Sequence, residues 1–421
     1  MRILVLTTCY PTRSRPDYGI FAHRQTRALA DLGAECHVLQ PVDWAPPAPF
    51  HRLHPGWESG RSRRLDGLRE LDGIPIHHPP VYHPKPSRFF PGDTLERTGI
   101  WTARAIARRP ELRGADLLFA HFLCNEGYAG LIVKRRLGLP LAVLAQGDDV
   151  HAWPERWPDR VPKLAAVLAG ADALFACSAG LARDAERWAS AGLAAPIEVA
   201  YNGIETAVYR PARDGAEQAR ARRDLGLPET GRLLLSVGTT IAAKGWPELL
   251  DVFAASPAAR GWTLLGVGTS RGNGDLDLPA EAARRGLAER FRWLGVLPPA
   301  RMPDLYRAAD AFVLASHNEG LSNAVQEAMA SGLPTIATEV GGHAELLGRG
   351  EGWLVPPRDP AALGRAFTEA LGDPTEADRR GRLGRARAEA LGTPRANAAR
   401  LLARFEALLR ARRDAAPARA V

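Results

Sequence analysis

Short apolar runs alternate with amphipathic segments along the first half of the chain. The apolar runs predict buried strands, and residues 21–32 have the spacing of an amphipathic helix. The runs predicted as strands are residues 3–7, 36–40, 117–120, 141–145 and 173–176. Strands that alternate with helices in this way are typical of an open parallel α/β sheet.

A second alternating set follows a break after residues 201–204. The runs predicted as strands in this set are residues 233–238, 262–266, 291–294, 311–315, 335–338 and 352–355. Because 421 residues exceed what one hydrophobic core usually supports, we predict two Rossmann-like domains that face one another. The predicted limits are 1–205 for the first domain, 206–230 for a charged linker, 231–392 for the second domain and 393–421 for a basic C-terminal helix and tail.

Two segments lie outside this alternation. Residues 42–91 are rich in Pro, His and Arg and have little periodicity. They predict a long excursion from the sheet, and we assign acceptor recognition to them. Residues 395–413 predict a helix docked on the protein, with membrane contact as the alternative. Its apolar stripe consists of Leu401, Leu402, Phe405, Leu408 and Leu409.

The positive charge is concentrated near the C-terminus. The formal net charge is +8, and residues 379–421 hold twelve arginines against Glu389, Glu406 and Asp414. No motif that reads nucleic acid is present in the sequence, so an anionic membrane surface is the partner that this charge favours. We expect no nucleic-acid partner and a monomer or weak dimer.

The sequence favours a cytoplasmic protein. Peripheral contact with the inner face of the membrane is a further expectation. It has no apolar run of transmembrane length, and its N-terminus turns polar too early for a signal peptide. Cys9, Cys36, Cys124 and Cys177 lie far apart. This spacing indicates neither a disulfide framework nor a zinc site.

The strongest candidate chemistry lies around Glu319 and Glu327. We predict a helix from Ser322 to Ala330, capped by Ser322 or Asn323, so that Glu319 lies on a strand-to-helix loop and Glu327 in the second turn. A helix N-terminus attracts phosphate, and carboxylates beside it can bind hydroxyl groups. Sugar and phosphate together suggest a nucleotide-sugar. The alternative is a pair of ordinary surface acids.

A second candidate is the loop from Gly238 to Gly245, which contains Lys244. The chain has only four lysines, so a lysine here is unusual for its composition, and a compact ammonium suits a diphosphate. A solvated loop lysine is the alternative. In the first half His121 ends a predicted strand, where open α/β sheets bind ligands, although a strand-end histidine is often structural. Gly19 and Asp149 lie on loops in comparable positions.

Together these segments resemble the retaining glycosyltransferases of family GT4. The resemblance rests on Gly19-Ile20-Phe21, His121, residues 147–149, Ser178, residues 202–204, Gly238, Lys244-Gly245 and the block from Glu319 to Pro334. It implies an α/β protein of GT-B architecture, with two facing Rossmann-like domains, parallel sheets and a C-terminal helix packing back on the N-terminal domain.

The resemblance also implies roles for individual residues. Glu319 would hold donor-sugar hydroxyls, Glu327 the ribose diol and Lys244 the diphosphate. Gly19 would lie beneath the diphosphate, and His121 would lie near the reacting face of the sugar, which makes His121 and Glu319 the catalytic candidates. The remaining donor-binding candidates are Gly320, Leu321, Ser322 and Asn323. Weaker candidates are Asp149, Thr239, Asn202 and Arg271.

The implied activity is retaining transfer from a nucleotide-diphosphate-sugar to a polysaccharide, glycolipid or lipid-linked acceptor. The departing diphosphate oxygen would take the acceptor proton, with neither a catalytic metal nor a cofactor. The family often has an arginine where this chain has Thr239, so Arg271 or Arg24 would have to supply the charge. The histidine common before Gly147 is replaced by Gln146. A nucleotide-sugar epimerase and a non-catalytic scaffold of the same fold are the alternatives.

Overall fold

The structure is a computed structural model that describes residues 1–47, 49–53, 55–82, 93–270 and 275–415. The chain divides into two compact units. Unit 1 comprises residues 1–201 together with 394–421, and unit 2 comprises residues 202–393. Unit 2 therefore includes the segment that the sequence suggested as a linker.

Unit 1 is built on an eight-stranded sheet. Its strand order is β10-β9-β8-β7-β1-β2-β5-β4, in which only the β4–β5 pair is antiparallel. The strands of this unit are β1 (Arg2–Leu6), β2 (Glu35–Leu39), β3 (Val42–Asp43), β4 (Glu70–Leu71), β5 (Ile74–His77), β6 (Pro80–Val81), β7 (Leu117–His121), β8 (Leu141–Ala145), β9 (Ala173–Ala176) and β10 (Ile197–Val199). The five strands predicted from apolar runs are confirmed to within one residue.

Helices connect these strands, as a parallel sheet requires. They are α1 (Ile20–Ala30), α2 (Pro55–Asp66), α3 (Thr94–Arg108), α4 (Tyr128–Leu137), α5 (Ala152–Arg156), α6 (Val161–Gly170) and α7 (Ala179–Glu186). β7 and β8 are fully buried, which explains their continuous apolar sequences.

The predicted excursion at 42–91 is only partly right. β5 joins the main sheet beside β2, whereas β3 and β6 form a separate two-stranded sheet. Residues 83–92 lie outside the described part of the chain.

Unit 2 contains a six-stranded parallel sheet with the order β13-β12-β11-β14-β15-β16. Its strands are β11 (Arg232–Val237), β12 (Trp262–Val267), β13 (Phe291–Trp293), β14 (Ala311–Leu314), β15 (Thr335–Thr338) and β16 (Trp353–Val355). Its helices are α8 (Gly215–Asp224), α9 (Trp246–Ala255), α10 (Leu278–Arg284), α11 (Met302–Ala308), α12 (Asn323–Ala330), α13 (His343–Leu347), α14 (Pro360–Gly372) and α15 (Pro374–Leu391). The second predicted set of strands is thus also confirmed.

The last helix, α16 (Pro394–Ala415), packs on unit 1. Phe405 is fully buried, with its ring centroid 5.2 Å from that of Phe119 and 5.9 Å from that of Phe175. The predicted return of a C-terminal helix to the N-terminal domain is confirmed. Within the described residues, no helix combines the length and apolar character needed to cross a bilayer.

Candidate active site

Lys244 and Glu319 form the centre of the site in unit 2. Lys244 follows β11, Glu319 follows β14, and the lysine Nζ lies 2.6 Å from Glu319 Oε1. The Ser316 hydroxyl donates to the same carboxylate oxygen at 2.8 Å. Burial raises the pKa of Glu319, but the charge of Lys244 and the hydrogen bonds from Lys244 and Ser316 together contribute to a net pKa below the ordinary value. Glu319 is therefore an ionised carboxylate held in a fixed position.

Glycines allow these loops to approach one another. Gly245 has φ +70°, and a Cβ there would lie 1.9 Å from the carbonyl oxygen of Ala315. Gly341 has φ +52°, and a Cβ would lie 2.1 Å from the carbonyl oxygen of Glu319. The backbone N–H of Gly342 also donates to the carbonyl of Gly320 at 2.8 Å. The glycine pair at 341–342 thus braces the loop that carries Glu319.

Helix α12 begins directly after this loop. Ser322 is its N-cap and accepts from the backbone N–H of Val325, which confirms the predicted cap. Leu321 and Ser322 are buried, Asn323 is half-buried, and Glu327 is 7% exposed in the second turn. The helix N-terminus therefore lies beside Glu319, where its N–H groups suit an anionic ligand.

Sequence reasoning did not assign a role to His343. Its imidazole is fully buried, and Nδ1–H donates to the carbonyl of Thr338 at 2.7 Å. The Thr338 hydroxyl donates to the carbonyl of Ser316 at 2.5 Å, which continues the network to Glu319. Burial lowers the pKa of His343, so the ring is neutral. The positions of these residues at the ends of adjacent strands were the only sequence pattern that could have revealed the network.

The weaker candidates in unit 2 are less clearly placed. The Thr239 carbonyl accepts from Trp246 Nε1 at 2.9 Å, and the Thr239 hydroxyl is buried with no hydrogen-bond partner among the described residues. The side-chain oxygen of Asn202 is likewise buried with no hydrogen-bond partner among the described residues. Arg271 lies outside the described residues.

In unit 1, His121 ends β7 and is fully buried. The Gln146 side-chain nitrogen lies 3.1 Å from His121 Nδ1, and Nε2 has no partner in the described part of the chain. Burial lowers the pKa of His121 to about 3, so the ring is uncharged at neutral pH. Phe122, the next residue, has φ +73°, a strained conformation of the kind found at functional sites.

Asp149 organises the backbone around His121. Its carboxylate accepts from the backbone N–H groups of Leu123 at 2.6 Å, Gly147 at 2.8 Å and Gln146 at 3.1 Å. Burial nevertheless raises its pKa. Asp149 therefore holds two loops together at the carboxyl ends of β7 and β8, where ligands bind in open α/β sheets.

The loop after β1 completes the cluster in unit 1. Gly19 has φ +67°, and a Cβ there would lie 2.2 Å from the carbonyl oxygen of Cys9, so only glycine fits before α1. Glu126, which sequence reasoning missed, accepts from both the backbone N–H and the hydroxyl of Thr8. Burial raises the pKa of Glu126 to about 7.

Possible metal ligands were compared within the described part of each unit. Among the residues that the structure describes, no group of three or more His, Cys, Asp or Glu side chains is arranged to hold a metal ion.

Comparisons with known proteins identify the family of the chain. Residues 19–208 match the family model for Glycosyltransferase Family 4, and residues 217–387 match the model for Glycosyl transferases group 1. A glycosyltransferase assigned to teichuronic acid biosynthesis, TuaC of Bacillus subtilis, is 27% identical over 90% of this chain and 92% of its own. A D-inositol 3-phosphate glycosyltransferase of Thermobispora bispora is 33% identical over 85% of this chain and 82% of its own.

Solved structures share the fold at lower identity. Sucrose-phosphate synthase from Thermosynechococcus elongatus has a TM-score of 0.76 and 22% identity, covering 98% of this chain and 100% of that one. Anabaena HepE in complex with UDP-glucose has a TM-score of 0.70 and 18% identity, covering 97% of this chain and 100% of that one. With both halves matched by family models and a relative 33% identical along most of its length, the chain belongs to glycosyltransferase family 4 and is a glycosyltransferase of the GT-B fold.

Proposed function

We propose that this enzyme transfers a sugar from a nucleotide-diphosphate-sugar to a glycan or lipid-linked acceptor, with retention of anomeric configuration. The observation that carries the proposal is the Lys244–Glu319 pair beside the N-terminus of α12. An ammonium has three N–H donors, so Lys244 can bind Glu319 and still donate to anionic oxygens of a diphosphate. Glu319 accepts hydrogen bonds from donor-sugar hydroxyls, and Glu327 accepts them from the ribose.

The protonation state of Glu319 argues against a role as a general acid, and we propose a reaction in which no protein nucleophile takes part. The lowered pKa of Glu319 keeps it ionised, which suits a hydroxyl acceptor and not a general acid. In the proposed reaction the acceptor oxygen attacks the anomeric carbon on the face that the diphosphate leaves. The bond to the diphosphate oxygen breaks, and that oxygen takes the acceptor proton. Lys244 and the α12 N–H groups stabilise the charge on the leaving group, so no catalytic metal is required.

The relatives indicate which substrates to examine first. HepE has been crystallised with UDP and with UDP-glucose, and TuaC is assigned to teichuronic acid biosynthesis. By analogy we propose a UDP-sugar as donor and an oligosaccharide or lipid-linked glycan as acceptor.

Aromatic side chains in unit 1 support a glycan acceptor. From His121 they continue outward as Phe21, Phe122, Trp153 and Trp157, with successive ring centroids 5.4–6.4 Å apart. The Arg160 guanidinium lies 4.2 Å from the Trp157 ring centroid. Sugar rings bind through their C–H faces to aromatic rings, so we propose that this aromatic row binds the acceptor. It replaces residues 42–91 as our preferred acceptor element.

A donor panel tests the proposal. The purified chain is incubated with UDP-, GDP- and ADP-sugars, first alone and then with lipid and oligosaccharide extracts. Slow release of nucleoside diphosphate that accelerates with an acceptor, and a product of retained configuration, are expected. A changed sugar stereocentre would identify an epimerase, and no donor binding in calorimetry would identify a scaffold.

We also propose peripheral contact of the cytoplasmic enzyme with an anionic membrane. Arg404 pairs with Glu198 and Arg412 with Asp172 at 2.9 Å, yet their side chains remain 56% and 40% exposed. These arginines can therefore hold α16 on unit 1 and still face lipid headgroups. Cosedimentation with anionic but not with neutral vesicles is expected, and equal behaviour with both would exclude the contact.

A further inference from the structure

The hydrogen bond between Gln146 and His121 determines where the histidine carries its proton. The carboxamide nitrogen of Gln146 lies 3.1 Å from His121 Nδ1, and a carboxamide nitrogen can only donate. Nδ1 must therefore be the acceptor. Since the buried ring is uncharged, its single proton lies on Nε2.

The surrounding backbone holds both partners in place. β7 and β8 are paired in register, with His121 opposite Leu144, so Gln146 begins the loop beside the end of β7. The Gln146 backbone N–H donates to Asp149 Oδ1, while the other oxygen of Asp149 binds the N–H of Leu123. The Gln146 carbonyl accepts from the thiol of Cys177 at 3.6 Å. One carboxylate thus ties the Gln146 loop to the segment that follows His121.

We propose that Gln146 is a positioning residue that fixes His121 as a neutral hydrogen-bond donor through Nε2–H. The inference rests on the proposed function, sugar transfer, for which His121 is a catalytic candidate. His121 then donates through Nε2–H to an oxygen of a bound sugar. It cannot act as the base that deprotonates the acceptor, because Nδ1 is occupied and Nε2 already carries a proton. That task remains with the diphosphate oxygen.

The residue type at position 146 is what makes the assignment specific. A histidine there, as in the family pattern that the sequence resembles, could donate or accept and could change its charge with pH. A glutamine does not titrate, so the state of His121 stays the same across the physiological range. Nε2–H of His121 is buried without a partner among the described residues, so it can donate to a substrate oxygen.

Nitrogen-15 NMR of histidine-labelled protein tests the proton position directly. His121 is assigned by comparison with His121→Asn, and protonated and unprotonated ring nitrogens have widely separated chemical shifts. We expect an unprotonated Nδ1 and a protonated Nε2 in the wild type between about pH 5.5 and 8.5. Gln146→Glu should reverse this, because a carboxylate accepts from Nδ1–H or holds a doubly protonated ring.

Kinetics of the same variants connect the proton position to catalysis. Gln146→Glu and the similarly sized Gln146→Met should each lower kcat by about tenfold, the loss of roughly one hydrogen bond. The nucleoside diphosphate affinity should stay near the wild-type value, since Gln146 acts through His121 and not on the diphosphate. A wild-type proton on Nδ1, or an unchanged spectrum and kcat in Gln146→Glu, would overturn the proposal.

The spectrum of the wild type is independent of turnover. If no donor is turned over while Nε2 carries the proton, the proposed function fails and the tautomer assignment stands. If donors are turned over but the proton lies on Nδ1, the tautomer assignment fails and the proposed function stands.

Discussion

At the scale of single residues, two buried carboxylates have opposite protonation behaviour. Glu319 contacts Lys244, and its pKa falls below the ordinary value. Among the described residues, Glu126 accepts hydrogen bonds from the neutral donors of Thr8, and burial raises its pKa to about 7. A neighbouring cation therefore decides which carboxyl stays ionised. The sequence indicated Glu319 through its loop position but gave no reason to select Glu126, because burial depends on the tertiary fold.

The first prediction concerns the separate roles of Lys244 and Glu319. Lys244→Ala should weaken binding of the nucleoside diphosphate by about 10- to 100-fold, because a hydrogen bond to a charged group contributes about 1.5–3 kcal/mol. Glu319→Ala should abolish transfer while the nucleoside diphosphate still binds. Calorimetry and a transfer assay measure both. Lys134→Ala, which removes a lysine paired with Asp172 in unit 1, is the control and should bind normally.

The second prediction concerns pH and Glu126. Because its folded-state pKa of about 7 exceeds the ordinary 4.5, protonated Glu126 favours the fold at low pH, and this contribution is lost as pH rises through about 7. Glu126→Gln does not titrate. The free energy of unfolding of the variant, relative to that of the wild type, should therefore rise by up to about 3 kcal/mol between about pH 5 and 8.

Urea unfolding at several pH values measures this difference. Glu155→Gln, a change of an exposed glutamate in the same unit, is the control and should show no such trend. A Glu126→Gln difference that is flat with pH would mean that Glu126 is ionised in the fold.

At the scale of elements, the strands could be predicted because parallel strands buried on both faces leave apolar runs in the sequence. The helix after Glu319 could be predicted from its capping residue. The contacts between loops could not, because they join residues distant in the chain. The Lys244–Glu319 pair spans 75 positions, and the link from His343 through Thr338 to Ser316 depends on the pairing of β14 with β15. β10 was missed because its short sequence is only partly buried.

The third prediction concerns the loop that carries Lys244. Gly245→Ala should destabilise unit 2 and weaken nucleoside diphosphate binding, because the new Cβ would lie 1.9 Å from the Ala315 carbonyl oxygen. Gly286→Ala is a matched control with φ +71° and open space around its Cβ. It should cost only the backbone strain, about 1 kcal/mol. Equal melting temperatures for the two variants would contradict the packing argument.

The fourth prediction concerns the aromatic row on α5 and the segment after it. Trp157→Ala should raise the KM for a glycan acceptor by about tenfold, since an aromatic contact contributes on the order of 1 kcal/mol. Hydrolysis of the donor without acceptor should be unchanged, because Trp157 lies at the outer end of the row. Trp188→Ala is the control, since this tryptophan donates to the Val150 carbonyl and is not part of the row. A Trp157→Ala enzyme with normal acceptor kinetics would return acceptor recognition to residues 42–91.

At the scale of the whole molecule, unit 1 is built from two segments of the chain, one before and one after unit 2 in sequence. Unit 1 is completed only when α16 returns to it, so the basic C-terminal segment has a structural role besides its charge. Arg395 donates to the carbonyl of Asp31, and Arg412 pairs with Asp172. The apolar stripe predicted the docking of this helix, but the acidic partners on unit 1 were not evident from the sequence.

The last prediction follows from this division. Phe405→Ala should lower the stability of unit 1 by about 3–5 kcal/mol, because it empties a fully buried aromatic site against Phe119 and Phe175. Each unit has its own core, so calorimetric scanning should show one transition moving down while the transition stabilised by nucleoside diphosphate stays in place. Phe253→Ala, equally buried in the core of unit 2, should shift the ligand-stabilised transition instead. If both variants shift the same single transition, the units unfold together, and α16 then contributes to the stability of the whole chain and not of unit 1 alone.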